Sequence, residues 1–319
     1  MEKFRWAYIG CGNIAYHTAD DIIKGNHTIV SVYGRNKEKA KKFAAKYSAA
    51  VCDSAEEAID PDKIDGVYIA TPHTSHVEYS VKSLERKIPV LCEKPVGVSV
   101  SDVERLIECA ESNNTYFAEA MWTWYSDVAL KVKEWVQGGR IGKITDVEIH
   151  YAFPGLLQKR TSRLRMPETA GGALLDIGIY PITYCYNLFG KPDKTECSGK
   201  LKDGIDISEE IVLHYGETKC RIFISLSTLR ESCVIKGEKG TISLPLFHMA
   251  SKATLKSDDG NETFSGKTDY LTEFTRVAEE IISGKKQSDY VPFSSTKAVM
   301  EIMDDCRAQM GLVYPFERK

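Results

Sequence analysis

Near its start the chain reads FRWAYIGCGNIA, residues 4–15. An apolar run of strand type meets two glycines one residue apart, Gly10 and Gly12, and passes directly into a helical pattern from Asn13 to about Ile23. Strand, glycine turn and helix in that order constrain the fold strongly. Gly10 makes the tight turn. Gly12, lacking a side chain, lets the backbone approach a pyrophosphate, and Ala15 permits close packing of helix on strand. The first helical amides, those of Asn13 and Ile14, then offer N–H groups and partial positive charge to an anion. A glycine turn in an unrelated α/β protein is the competing reading, and a lone match of this kind is weak. Context decides between them.

Over the first 120 residues short apolar runs alternate with amphipathic ones. FRWAYIG, TIVSVYG, DGVYIAT, IPVLCEK and TYFAEA read as strands. NKEKAKKFAAKY, SHVEYSVKSLERK and VSVSDVERLIECAESNN carry apolar residues at helical spacing. Strand–helix alternation with right-handed crossovers gives a doubly wound parallel sheet. After about residue 145 the pattern changes. ITDVEIHYAF, ISEEIVLHYG, TKCRIFISLST, SCVIKG and GTISLPLF, several joined by turns such as YGET and GEKG, predict an antiparallel meander. DYLTEFTRVAEEIISGK and SSTKAVMEIMDDCRAQMG then read as closing helices. The expectation is an α/β chain of two domains. Residues 1–120 form the dinucleotide-binding domain. Residues 121–319 form an α+β substrate and oligomerisation domain with an open, mainly antiparallel sheet, whose closing helices have the option of packing back on the first domain.

Composition narrows the function. A net charge of -3 over 319 residues offers no basic stripe for nucleic acid and no polybasic patch for a membrane surface. No apolar stretch approaches the ~18 residues of a membrane span, and the N-terminus lacks a signal-peptide core. Nine scattered cysteines without CxxC or zinc-ligand spacing predict buried thiols in a reducing cytoplasm and no metal site.

At the end of the second strand a site for NAD places an acid on the ribose hydroxyls. Here the chain reads VYGRNKEKAKK, with Gly34 and Arg35 in that place. Arg35, helped by Asn36 or Lys39, suits a 2′-phosphate, so NADP(H) is favoured and NAD(H) is the alternative. Thr71, Pro72 and His76 follow the third strand, where the loop should run beside the cofactor; His76 reaching the nicotinamide side and His76 capping the next helix are equal readings. Glu93, Lys94 and Pro95 follow the fourth, at the strand ends where ligands bind in such sheets. In ETAGGALLDIGIY, Gly171 and Gly172 precede an apolar helix in which Asp176 needs a reason to be. Tyr180, four residues on, shares its face, and Gly178 leaves room for a close approach. Trp122, Trp124 and Tyr125 are candidates to line a pocket for a ring-shaped substrate, against the plain alternative of core. Arg163 and Arg165 fit an anionic substrate or, more simply, a solvated loop.

Taken together, GCGNIA, TPHTSHVEYS, CEKPVGV, EAMWTWY, GGALLDIGIY, IKGEKGTISLP and GLVYPFE make the chain resemble the Gfo/Idh/MocA family of oxidoreductases, within it the branch of dimeric dihydrodiol dehydrogenases and glucose–fructose oxidoreductase. The resemblance implies an N-terminal Rossmann domain and a C-terminal domain with an open sheet through which members form dimers or tetramers. It implies nicotinamide chemistry on a sugar, cyclic polyol, dihydrodiol or related carbonyl. Lys94 falls on the family's catalytic lysine, Asp176 on its acidic substrate position, and Tyr180 where many members carry His and this branch carries Tyr. Trp124 departs from the branch, which has arginine there. In the implied chemistry Tyr180 takes the hydroxyl proton with its phenolate favoured by Lys94, or Lys94 carries the proton itself. Asp176 orients the hydroxyl or holds Lys94. The rivals are a non-catalytic NADP-binding regulator, which has no need of Lys94, Asp176 and Tyr180, and a methyltransferase, which wants an acid where Arg35 stands.

Overall fold

The computed structural model describes residues 2–317. It divides into two compact units: one holds the chain up to Trp122 with Asp269–Phe293, the other holds Thr123–Thr268 and the chain from Ser294 onward.

The first unit is built on six parallel strands, β1 (Phe4–Ile9), β2 (His27–Tyr33), β3 (Ala50–Val51), β4 (Gly66–Ile69), β5 (Val90–Glu93) and β6 (Phe117–Ala120). Their order is β3-β2-β1-β4-β5-β6, so the winding reverses between β1 and β4. Five of the six coincide with the apolar runs read from sequence. The sixth, β3, has two residues, both exposed, too few to leave a pattern. Helices α1 (Asn13–Ile22), α2 (Lys37–Tyr47), α3 (Ala55–Ala58), α4 (His76–Leu84) and α5 (Val100–Ser112) make the crossovers. Because both faces are covered, the strands are apolar throughout: Trp6, Tyr8, Ile9, Val67, Tyr68, Val90 and Leu91 are fully buried. The helix Tyr270–Ile282 belongs to this unit and plugs it with Phe274, whose ring meets Trp6 and Tyr68 at 5.0 Å each. A buried aromatic of this kind is worth about 3–5 kcal/mol by truncation.

In the second unit α6 (Asp127–Gln137) precedes β7 (Ile144–Ala152). After three short turns, a π-helical segment, Leu174–Gly178, runs into α7 (Ile179–Phe189). Seven strands follow: β8 (Lys194–Lys202), β9 (Ile205–Tyr215), β10 (Thr218–Ser225), β11 (Arg230–Gly237), β12 (Gly240–Leu244), β13 (Lys252–Ser257) and β14 (Gly260–Ser265). They make one open sheet, β14-β13-β12-β11-β7-β10-β9-β8, antiparallel except where β7 meets β10. The strands β8, β13 and β14 go beyond the sequence expectation. β8 and β14 are the two edges of the sheet and bury no residue, while the inner strand β13 buries just Ala253 and Leu255, so each carries little apolar alternation. An Asp–Gly turn at Asp203–Gly204, both at positive φ, marks the β8–β9 hairpin. One face of the sheet is apolar (Val147, Ile149, Ile211, Leu213, Ile222, Ile224, Ile235) and lies under α7 along β7 and β10. The other displays Glu148, His150, Val212, Arg221, Phe223 and Val234, none of them buried.

One contact anchors the π-helical segment to this sheet. Asp206, fully buried on β9, accepts the Leu174 N–H through Oδ2 at 2.5 Å. The approach requires Gly172, at φ +129°, because a Cβ there would stand 2.0 Å from Asp206 Oδ1. Gly178 is also explained by packing: its Cβ would meet Ile224 Cδ1 at 2.7 Å, so what approaches is the sheet. Gly172→Ala should therefore lower stability by roughly 2–4 kcal/mol. Gly216→Ala, also at positive φ but with open space around it, should cost only about 1–2 kcal/mol. Urea unfolding of the two variants checks the difference.

Candidate functional site

In the first unit the β1–α1 turn makes the approach that the glycines permit. Gly10 has φ +113°, and a Cβ on it would lie 2.4 Å from the Ala70 carbonyl oxygen at the end of β4. Gly12 is the opposite case. It is the extended N-cap of α1, it makes no side-chain cap, and nothing stands within 4 Å of where its Cβ would be. By contrast α2, α3 and α5 have their first-turn amides capped by Asn36, Ser54 and Ser99. The first-turn amides of α1, those of Asn13 and Ile14, thus have no side-chain cap at a positive helix end, beside the open space at Gly12. Cys11, between the glycines, is not a nucleophile: burial pushes its thiol up to about 11.

Arg35 and Lys39 are exposed just beyond β2, with no carboxylate ending the strand. Asn36 caps α2, its Oδ1 accepting Lys39 N–H at 3.0 Å, which leaves its Nδ2 amide as the group able to donate to a phosphate. After β4, Thr71 Oγ1 is buried with no hydrogen-bond partner among the described residues. His76 is fully buried, and its two nitrogens lie 2.7 Å from the Pro95 oxygen and 2.8 Å from the Thr71 oxygen. It is a bracket that ties the Thr71–Pro72 loop to the loop after β5, and it serves the cofactor region by fixing those loops.

Glu93 ends β5 and accepts the Tyr68 hydroxyl; Lys94 follows through a cis peptide to Pro95, and both charged side chains are buried. Beneath them sits an acid that sequence reading missed. Glu273 is fully buried on the helix Tyr270–Ile282, and neither of its oxygens has a hydrogen-bond partner among the described residues. Burial, and then the nearby charge of Glu93, raise its pKa well above the usual carboxylate range, so it is held protonated. The sequence signal was faint, one acid on the inner face of an amphipathic helix.

In the second unit the π-helical segment carries Asp176, and α7 carries Tyr180. A π-turn widens the helix, so two residues four apart no longer stack as they do in a regular α-helix. Asp176 pairs with Arg163, Oδ1 to Nη2 at 2.7 Å, which reassigns Arg163 from a candidate anion binder to the partner of an acid. Arg165 donates to the Leu156 and Gln158 carbonyls and holds its own loop. Tyr180 lies in a ring cluster, 5.8 Å from Tyr151 and 5.7 Å from His248 by centroid. His248 stacks on Tyr151 at 4.4 Å, and its Nδ1 is 2.7 Å from Glu231. None of Tyr151, Glu231 and His248 was foreseen, since no sequence spacing links them; sheet register does, by setting Glu231 directly opposite Tyr151.

Trp124 corrects the expectation of a pocket wall. It is 1% exposed, packed edge-on against Tyr184 at 5.2 Å, and is core. Trp122 falls in the first unit and packs on Tyr270 at 4.9 Å. Among the described residues no cluster of three or more His, Cys, Asp or Glu could hold a metal ion, and no helix is long and apolar enough to cross a membrane.

The first unit fits a dinucleotide on three of its own features: a cradle that a Cβ would fill at Gly10, an uncapped helix start at Gly12, and an orphaned hydroxyl at Thr71. Comparison with known proteins agrees. Residues 4–120 match the family described as an oxidoreductase family with an NAD-binding Rossmann fold, and residues 129–243 match the GFO/IDH/MocA C-terminal domain. The chain is 29% identical to the NADP(+)-dependent scyllo-inositol 2-dehydrogenase of Bacillus subtilis, over 91% of this chain and 92% of that one. It is 27% identical to the trans-1,2-dihydrobenzene-1,2-diol dehydrogenase of Danio rerio, over 97% and 98%. With the D-xylose 1-dehydrogenase (NADP(+)) of Hypocrea jecorina the identity is 28%, over 95% and 88%. A 3-ketoreductase from Actinomadura kijaniata, solved with NADP and TDP-benzene, shares the fold at TM-score 0.86 and 18% identity, over 97% and 98%.

The buried acid under Glu93 has a measurable consequence. A carboxyl whose folded pKa is raised favours folding in its protonated form, and that advantage is lost as pH climbs from the ordinary Glu range through the folded pKa. Glu273→Gln should thus stabilise the protein by about 1 kcal/mol or more at pH 8 and by progressively less toward pH 4.5. Thermal melts of both proteins across that range check the sign.

Proposed function

The chain belongs to the Gfo/Idh/MocA family of oxidoreductases, and from that premise we propose an NADP(H)-dependent dehydrogenase or reductase acting on a CH–OH or carbonyl group of a sugar, cyclic polyol or dihydrodiol. The observation that carries this reading is the second unit's Tyr180 and Asp176, one at the start of α7 and one on the π-turn before it, each with a polar or aromatic surround. A nucleotide-holding protein without chemistry has no need of that pair. Relatives named for inositol, xylose and dihydrobenzenediol oxidation share one substrate chemistry, a hydroxyl-bearing ring or sugar. NADP(H) is preferred over NAD(H) because Arg35 and Lys39, and no acid, follow β2. Two of the relatives carry NADP(+) in their names.

When bound, the nicotinamide supplies or accepts the hydride. The chain's task is the proton and the placement of the reacting carbon. Gly10, Gly12, Asn13 and Ile14 hold the pyrophosphate, with Thr71 and Pro72 lining the next loop and His76 and Glu93 fixing the loops that follow. Tyr180 receives the hydroxyl proton in oxidation and returns it in reduction. A tyrosine ordinarily titrates near 10, so to serve at neutral pH it needs the help of a cation. Lys94, at the position of the family's catalytic lysine, is the first unit's residue assigned to the reaction. Asp176, its charge balanced by Arg163, acts as a hydrogen-bond acceptor that orients the substrate hydroxyl and is not the base. The partly apolar outer face of the eight-stranded sheet, with Val212, Phe223 and Val234, suits a homodimer or homotetramer interface. Nine free cysteines and no disulfide suit a reducing cytoplasm.

Lys94→Ala and Tyr180→Phe should each lower kcat/KM by at least about a hundredfold while the protein stays folded and binds nucleotide. Steady-state assays over sugars, inositols and cyclic diols, run with NADP+ and with NAD+, measure this. Unchanged turnover in both variants would leave the chain a nucleotide-binding protein of another purpose.

A further inference from the structure

The edge strand β8 is covered by the end of the last long helix, Phe293–Met310, and the contacts lie within the second unit. Gln309 reaches the open edge of the sheet with its side-chain amide: Oε1 accepts the Cys197 N–H at 2.8 Å and Nε2 donates to the Thr195 carbonyl at 3.0 Å. Two residues along β8, a Cβ on Gly199 would stand 2.3 Å from Met310 Sδ. Cys306 lies three residues before Gln309 and four before Met310, so it shares their side of the helix. Its thiol is in a hydrogen bond with the thiol of Cys197, and that bond, followed by burial, pushes the Cys306 thiol far up. Cys306 is fully buried, whereas Cys197 is partly exposed.

We infer that Cys197 and Cys306 are a reversible disulfide site, oxidised by a hydroperoxide, whose bond braces the last helix against β8. The more accessible sulfur reacts first. Cys197 takes one oxygen from the peroxide and becomes a sulfenic acid, releasing water. The Cys306 sulfur then attacks that sulfur: the S–S bond forms, the S–O bond breaks, and hydroxide leaves with the Cys306 proton as a second water. Two thiols have lost two electrons to the peroxide, and a dithiol reductant returns them. The buried, protonated Cys306 is inert toward the bulk reagent and acts only on the sulfur already against it.

The other cysteines set the selectivity. Cys185 and Cys220 are also in a thiol–thiol hydrogen bond, but both are fully buried on α7 and β10, out of reach of the oxidant. Cys11 and Cys109 are partly exposed, and among the described residues neither has a second thiol acting on it. The brace bears on the candidate site through the chain that follows the helix: the Tyr314 hydroxyl donates to the Gly171 carbonyl at 3.2 Å, just before the segment that carries Asp176. The inference is independent of the proposed function, because its readouts are thiol chemistry and a melt.

The test treats fully reduced wild-type protein, Cys197→Ser and Cys306→Ser with hydrogen peroxide, followed by non-reducing peptide mapping, a count of free thiols in denaturant, and thermal melts. Wild type should lose two thiols to one Cys197–Cys306 cross-linked peptide, regain them with dithiothreitol, and melt about 3–10 °C higher when oxidised, since the bond closes a long loop. Both serine variants should lack the cross-link and show no oxidative rise in melting temperature, and Cys306→Ser should leave Cys197 as a sulfenic acid that dimedone traps. Should a serine variant fail to fold, the wild-type map alone decides. Cys197 carried on to sulfinic acid with Cys306 still free, or a cross-link between other cysteines in its place, would overturn the inference.

Discussion

At Gly10 two backbone segments meet with no room for a side chain, and the first unit's candidate site is arranged around that meeting. The turn after β1 presses against the Ala70 carbonyl at the end of β4, where the sheet order reverses. A Cβ at 2.4 Å would push the loop away and tilt α1 from the strand ends. With glycine there, α1 starts at the carboxyl edge of the sheet with its first amides uncapped. Hydrophobic burial then makes the arrangement stiff: Tyr8, Tyr68 and Phe274 fill the space behind the turn, and Ala15 lets the helix lie close on the strands.

The second unit uses a different device for the same end. A buried carboxylate, Asp206, holds the start of the π-helical segment, and sheet register delivers Tyr151 and Glu231 as neighbours. Burial raises the pKa of Asp206, while the Leu174 and Ala173 amides pull it back. Its neighbour Glu209 is raised well above the usual range by burial and then by Asp206. Both units therefore keep in the interior an acid whose pKa burial raises well above the usual carboxylate range, Glu273 in one and Glu209 in the other. Such groups lower stability, and proteins hold them where orientation matters more than the last increment of free energy.

What could be read beforehand follows from the range of the interactions involved. The strand–helix alternation, the glycine turn and the absence of an acid after β2 are local patterns, and each stands in the sequence at the place where the structure uses it. Asp176 stood out because a charge inside an apolar helix is costly. Its pairing with Arg163 and the π-turn around it are tertiary outcomes and left no local trace. Trp124 looked like a pocket residue because an aromatic run has the same pattern in a core and in a wall; only packing against Tyr184 separates them. The edge strands β8 and β14 were hidden because they bury no residue, and β13 because its buried face is just Ala253 and Leu255, although an Asp–Gly turn marks the end of β8. Glu231 meets Tyr151 through sheet register, and His248 reaches Glu231 because the turn after β12 folds back on β11, neither of which a single-segment pattern encodes.

A nucleotide bound to this protein should lie in the open space at Gly12. Gly12→Val adds a side chain where no protein atom stands within 4 Å and where φ is ordinary, so folding should be unaffected. NADPH affinity, measured by fluorescence titration alongside a thermal melt, should fall roughly 10- to 100-fold or more, the size of a steric misfit at a packed contact. A variant that melts as the wild type does and binds NADPH with undiminished affinity would contradict the account.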